Sequence, residues 1–348
     1  MKRCKALFAG ILAAAMLFGM TGCYGDTTWV METETDTVPA GVYLTYMIGA
    51  YSEAQDNIDS AQDMWEQSID GVSVEQWIIN EAVSRSKEYI AVNLLFDELG
   101  MTLSEEDNES IKNQANNYWT NNQEFYEKNG ISFASVKKLT ENTYKTNLIF
   151  DYYYDEGGPE EVSEGTLKEY FYDNYAKIKY MTFLKQDPET GEDKSDEDLK
   201  EEVESYITKL NKGEDFDSII DAYIPVIWEQ MGITNTYTPD TSDANRNVTL
   251  LNKNNTGTYM DHFIETTFEQ TQYGVPYTDY EGETYAYLAI RYDLTADEEL
   301  FEENRSSLLR EVCADSFEQK LDEAVSGIVI TTNESAVNRY SPKNIQMS

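Results

Sequence analysis

Histidine is nearly missing from this chain: His262 is the single one in 348 residues. Any Ser-His-Asp or Cys-His device must therefore use that imidazole, and its neighbours Asp261 and Phe263 add no motif to it. Cysteine is scarce as well, with only Cys4, Cys23 and Cys313. Thiols so few and so far apart supply no disulfide framework, and Cys313 falls on the apolar stripe of a helical pattern, where it reads as core packing. The chain has no Cys-x-x-Cys, His-Glu-x-x-His, Walker loop or Gly-x-Gly-x-x-Gly, so no cofactor and no metal is expected. Basic residues are in short supply: 26 Lys and Arg stand against 65 Asp and Glu, a net charge of −39. That excludes nucleic-acid phosphates and anionic membrane surfaces as partners, and it favours basic clients over acidic ones. No helix-length apolar span is present either. The apolar run Ala6 to Met20 is 15 residues, against the roughly 20 that cross a bilayer.

What that short run does supply is an address. "MKRCK" is a positive n-region, "ALFAGILAAAMLFGM" an apolar h-region and "TGC" a small-residue cleavage site, which together read as an export signal. The phrase "MTGC" resembles the lipobox of bacterial lipoproteins, with Met20 in place of the usual leucine. The resemblance implies a signal peptide over 1–22, lipid on Cys23, and a chain tied to the outer face of the bacterial cell membrane. Residues 23–40, with "YGDTTWVMETETDT" and Pro39, read as a tether.

Helical periodicity begins at Gly41. "VEQWIINEAVSRSKEYIAVNLLFDELG" sets Ile78, Ala82, Tyr89, Val92, Phe96 and Leu99 on one face and stops at Gly100. Ser104 caps a second helix, and a third fits "SFASVKKLTENTYKTNLIFDYYY", so 41–155 reads as one all-helical domain. Past "EGGP" the element type changes. "AKIKYMTFLKQ" and "TYAYLAIRYD" alternate as half-buried strands, and between them two helices meet at Lys212-Gly213 in "LNKGEDFDSIIDAY". Residues 225–262 show weak periodicity. The last long helix repeats Leu309, Cys313, Phe317, Leu321 and Val325 every four residues. "DANRNV" places Asp243, Asn245 and Asn247 at calcium-loop spacing. Val248 and Asn254 stand where glycine and glutamate are needed, so it reads as a polar loop.

The order of these pieces resembles the SurA/PrsA group of extracytoplasmic foldases, in which a parvulin-type prolyl isomerase domain is inserted into a helical chaperone domain. The phrases that carry the resemblance are "EVESYITKLNKGEDFDSIIDAY" and "WIINEAVSRSKEYIAVNLLFDELGMTLSEEDNESI". It implies an α+β chain with a helical chaperone-like domain at 41–155 and a parvulin-like α/β domain at 160–295. Residues 296–348 then form a helix returning to the helical domain, followed by a tail. Active members carry a histidine in the first strand, where "KYMT" puts Tyr180, and a second near the domain's end, where "TYAYLAIRYD" has none. The glycine-rich stretch after the second helix is also missing. The resemblance thus implies a degenerate isomerase domain in a lipid-anchored chaperone that holds unfolded exported proteins. An active isomerase of unusual site is the alternative, and a solute-binding lipoprotein would need a repeated α/β pattern that is not there. Tyr152, Tyr153 and Tyr154, with Tyr170, Phe171 and Tyr172, are candidate client contacts, because tyrosine joins apolar area to a hydrogen-bonding tip.

Overall fold

The computed structural model describes residues 28–188 and 190–347; the expected signal peptide and Cys23 lie outside the described residues. The α+β class expected from the sequence is the class observed, with ten helices among the described residues and a few small antiparallel sheets. The chain divides into two compact units, residues 1–161 with 313–348, and residues 162–312.

In the first unit the helices are α1 (Ala40–Asp56), α2 (Val74–Glu98), α3 (Glu105–Lys128) and α4 (Phe133–Tyr154). Serines start three of them, because a hydroxyl at the N-cap accepts from an amide that has no helical partner. Ser73, Ser104 and Ser132 accept from Gln76, Asp107 and Ser135. At Ser104 the exchange is reciprocal, since its own amide donates to the Asp107 carboxylate at 2.8 Å. Tyr43 and Met47 of α1 interlock with Ile78, Ala82 and Tyr89 of α2 in the main core. A tight hairpin joins β3 (Ser68–Ile69) to β4 (Val72–Ser73), with Asp70 and Gly71 both at positive φ, as an Asp-Gly turn between two strands requires. The helix α9 (Glu298–Val325) crosses the division between units. Its last turns place Phe317, Leu321 and Val325 against Val92, Leu95 and Phe96 of α2 and Ile149 of α4.

The stretch read as a tether departs from that reading where it is described. β1 (Trp29–Glu32) pairs with β2 (Thr37–Pro39) on one side and β9 (Thr331–Thr332) on the other, ahead of the short α10 (Glu334–Val337). Val30, Met31 and Val38 are fully buried. Two consecutive strand residues ordinarily face opposite ways, but a register shift between Trp29 and Met31 lets both Val30 and Met31 join the core.

The second unit runs α5 (Glu164–Asn174), β5 (Tyr175–Leu184), α6 (Asp196–Asn211), α7 (Phe216–Gln230), β6 (Thr249–Asn252), α8 (Asp261–Glu269), β7 (Pro276–Asp279), β8 (Tyr285–Tyr292) and the start of α9. Its sheet is antiparallel throughout, in the order β6-β5-β8-β7. The alternation of β5 divides its side chains between two cores. Met181 and Phe183 pack with Val203 of α6 and Ile219, Ile220 and Tyr223 of α7. Ala176 and Ile178 pack with Phe263 and Ile264 of α8 on the opposite face. Between α6 and α7 the chain turns through Gly213 at φ +85°, where glycine alone has no Cβ penalty. Asp215 then caps α7, accepting from the Ser218 amide at 3.0 Å.

Candidate functional site

Tyr180 sits in the middle of β5, and the diagonal neighbour on β8 is Tyr287, because the register pairs Tyr180 with Ala289 and Thr182 with Tyr287. The two rings lie 6.2 Å apart, and both pack on Phe263 of α8, at 5.6 Å from Tyr180 and stacked at 4.2 Å on Tyr287. The two strands that the sequence resemblance associates with histidines thus bring two phenols together. Burial pushes the Tyr180 hydroxyl above its usual pKa, with Tyr259 adding to the effect, and burial pushes Tyr287 higher still. An imidazole there would change charge near neutral pH; these phenols stay neutral.

Beside them is a cavity of about 360 Å³. Ile220, Tyr223, Ile227 and Trp228 of α7 form one wall, and Tyr259 and Met260 ahead of α8 form another. Every side chain lining it is uncharged. Such a lining takes apolar or aromatic groups, and the titratable side chains in it are tyrosines.

The loop 231–248 closes this side of the unit and is held by charge. Asp221 of α7 accepts from the Tyr237 hydroxyl at 2.8 Å, from Arg246 Nε at 3.1 Å and from the Asn247 amide at 3.1 Å. Burial alone would raise the Asp221 pKa, but the hydrogen bonds from Asn247, Tyr237 and Arg246 outweigh it and hold the carboxyl below the usual range. Asp217, one turn earlier, pairs with Lys179 of β5 at 2.5 Å and accepts from Asn247 at 3.2 Å. The calcium-like fragment is therefore spent on this network: Arg246 and Asn247 hold α7 carboxylates.

His262 lies outside the cavity lining. Its Nδ1 is 2.8 Å from Asp279 Oδ1, and that hydrogen bond raises the imidazole pKa. Cys313 is buried, and burial pushes its thiol up. Tyr154 and Phe171 are buried, the former with its hydroxyl 2.8 Å from Ser316 Oγ, the latter against Phe301, so their reading as client contacts is corrected to packing. Tyr170 and Tyr172 are half-buried, and the Tyr170 hydroxyl donates to Glu311. Tyr152 is exposed, and Tyr153 is half-buried beneath the Lys320 ammonium.

Sequence reasoning missed Tyr287, Phe263 and Trp228. Tyr287 carries one signal, its place on the strand that the sequence resemblance associates with a second histidine. No family model matches the chain, and no curated protein matches it. Among solved structures the chain is similar to PrsA from Bacillus subtilis, at 15% identity over 87% of this chain and 93% of that one, with a TM-score of 0.29. It is similar also to the foldase PrsA from Lactococcus lactis, at 9% identity over 89% and 96%, TM-score 0.34. A third likeness is to the foldase PrsA from Streptococcus pneumoniae, at 12% identity over 80% and 97%, TM-score 0.37.

Proposed function

We propose that this chain is an extracytoplasmic chaperone that holds exported, unfolded proteins without catalysing prolyl isomerisation. One observation carries the reading: the aromatic cavity beside Tyr180 and Tyr287 is lined wholly by uncharged side chains. Apolar walls with tyrosine tips take up the side chains an unfolded protein exposes, and nothing in that lining moves a proton near neutral pH. The acidic surface keeps the chaperone soluble beside aggregating clients. The test measures aggregation of an unfolded client and isomerisation of a prolyl peptide with the same preparation. Aggregation should be suppressed while the peptide relaxes at its uncatalysed rate of tens of seconds or slower. Tyr180→Phe should leave holding intact, removing at most a hydrogen bond of about 1 kcal/mol. Rapid isomerisation in the parent that collapses in Tyr180→Phe would make this an isomerase instead.

The address belongs to the same proposal. Cleavage after Gly22 and lipid on Cys23 would hold the chaperone at the outer face of the membrane, where unfolded exported chains emerge. Cys23→Ala should shift the chain from the membrane fraction to the medium or leave it unprocessed. Membrane retention equal to the parent would remove the lipid anchor from the account.

A further inference from the structure

The two edges of β5 are used unequally. β8 pairs along Lys177 to Leu184, whereas β6 pairs only with Tyr175 to Ile178. Just before β6 the chain is turned aside by Asn247, which holds a left-handed conformation at φ +66° while its amide is fixed by Asp217 and Asp221. Among the described residues, no strand covers that edge from Lys179 onward.

The direction of the main chain there follows from its neighbours. In an antiparallel ladder both polar groups of a residue point to the same side, and successive residues alternate. Asn174 accepts from Lys253 on the β6 side, at 2.8 Å, and the Lys185 amide donates to Thr284 on the β8 side, at 3.1 Å. Even-numbered residues of β5 therefore turn their N–H and C=O toward β6, and Tyr180 and Thr182 turn theirs toward the edge that β6 has left. A side chain already stands in for a strand at one point, where the Tyr223 hydroxyl donates to the Thr182 carbonyl at 2.9 Å. The cavity runs along this open edge. Ile220, Ile224 and Trp228 wall it on the sheet face of α7, and Tyr259 and Met260 wall it on the other.

The geometry points to strand addition: an extended, uncharged segment of an unfolded chain lies beside Tyr180 and Thr182 as a continuation of the β6 line, its side chains between the two walls. This deepens the client-holding proposal and rests on it. Charge narrows the occupant. The lining is neutral and the chain carries −39, so a neutral apolar segment flanked by basic residues fits best and an acidic one is repelled. Proline is refused at positions facing β5, because it has no N–H to give the strand. The slot thus selects for backbone donors, the reverse of a site built around proline.

The experiment uses the full protein and an acetylated, amidated peptide, Lys-Thr-Val-Thr-Phe-Thr-Val-Lys, whose single phenylalanine fixes its register. Copies are methylated at one backbone nitrogen at a time, and one copy has proline in place of a sensitive residue. Methylation at alternate positions should weaken binding about tenfold or more, with little effect between them, and the proline copy should fail likewise. Bound peptide should also slow amide exchange at Tyr180 and Thr182. Uniform tolerance of methylation, or preference for the proline copy, would overturn strand addition. If no peptide binds while aggregation is still suppressed, strand addition is wrong and the chaperone reading stands. If suppression is missing too, both fall.

Discussion

Phe263→Ala is expected to cost about 3–5 kcal/mol, the sum of lost transfer energy and the cavity left behind. The ring is buried, stacks on Tyr287 at 4.2 Å and sits among Ile178, Leu251, Ile264 and Ala289, which together fill one face of the four-stranded sheet. None of these neighbours can collapse far, because they belong to paired strands and to the helix that carries Phe263 itself. A unit of the size of residues 162–312 loses roughly 2–4 °C per kcal/mol, so a fall of about 10 °C in its melting midpoint is the expected reading. The same change takes away the floor on which Tyr180 rests, so holding of a client should weaken in parallel. Two companions locate the cause. Tyr259→Ala, at a residue 62% exposed, should move the midpoint little, within about 0.5 kcal/mol. Tyr287→Phe removes a buried hydroxyl that has no hydrogen-bond partner, so the midpoint should hold or rise. A Phe263→Ala protein that melts with the parent would show that this core does not support the sheet.

How far the sequence alone reaches depends on the range of the interaction that decides each element. The helices were legible because their causes are local: Ser104 with Asp107, the stop at Gly100, the turn at Gly213 and the four-residue stripe through Leu321 all lie within a few positions of one another. β5 was legible for the same reason, since buried and half-buried positions alternate along most of its ten residues, whereas β8 is marked only by a run of buried residues from Ala286 to Ile290, covered on both faces of the sheet. β6 was not legible. Its "TLLN" puts Leu250 beside Leu251 and breaks the alternation, and only pairing with Tyr175 to Ile178, some seventy positions away in the chain, makes it a strand. β7 opens on Pro276, a residue tolerated there because the strand lies at the sheet edge. Trp29 to Glu32 looked like a tether because threonine and acid dominate its surroundings, while its partner β9 is three hundred residues downstream. The site suffers the same limit more sharply. Tyr180 could be singled out by its place in a strand, but its meeting with Tyr287 and Phe263 is set by sheet register and by the docking of α8. Neither leaves a mark in local sequence.

Asp221 carries the last expected result, in which charge and pH act together. Its side chain is 12% exposed and accepts from three donors that tie loop 231–248 to α7. Asp221→Ala would take the carboxylate away from Arg246, at 19% exposure, and from the Tyr237 hydroxyl, and would leave the Asn247 amide with Asp217 as its remaining acceptor. Loss of these bonds should loosen loop 231–248 and lower the melting midpoint at neutral pH. The sign with pH follows from the lowered carboxyl pKa. A group held more acidic in the folded state stabilises fully above its unfolded value near 3.9, and the contribution is lost as pH falls through the lower folded value. Asp297 behaves alike: the hydrogen bond from Lys177 holds its carboxyl down, while its other oxygen accepts from the Leu300 amide at the start of α9. His262 works the other way, its raised pKa adding stability as pH falls below neutral, so the parent midpoint should hold or rise slightly down to about 5 and drop steeply below about 4. In Asp221→Asn the neutral-pH midpoint should already be lower and the acid drop shallower, since this depressed carboxyl no longer titrates. Because Asn247 loses one of the acceptors that turn the chain away from β5, the open edge beside Tyr180 should change as well. Peptide affinity should fall in Asp221→Asn even at temperatures where the protein is fully folded. Equal acid slopes in parent and Asp221→Asn would mean that this carboxylate does not hold the loop.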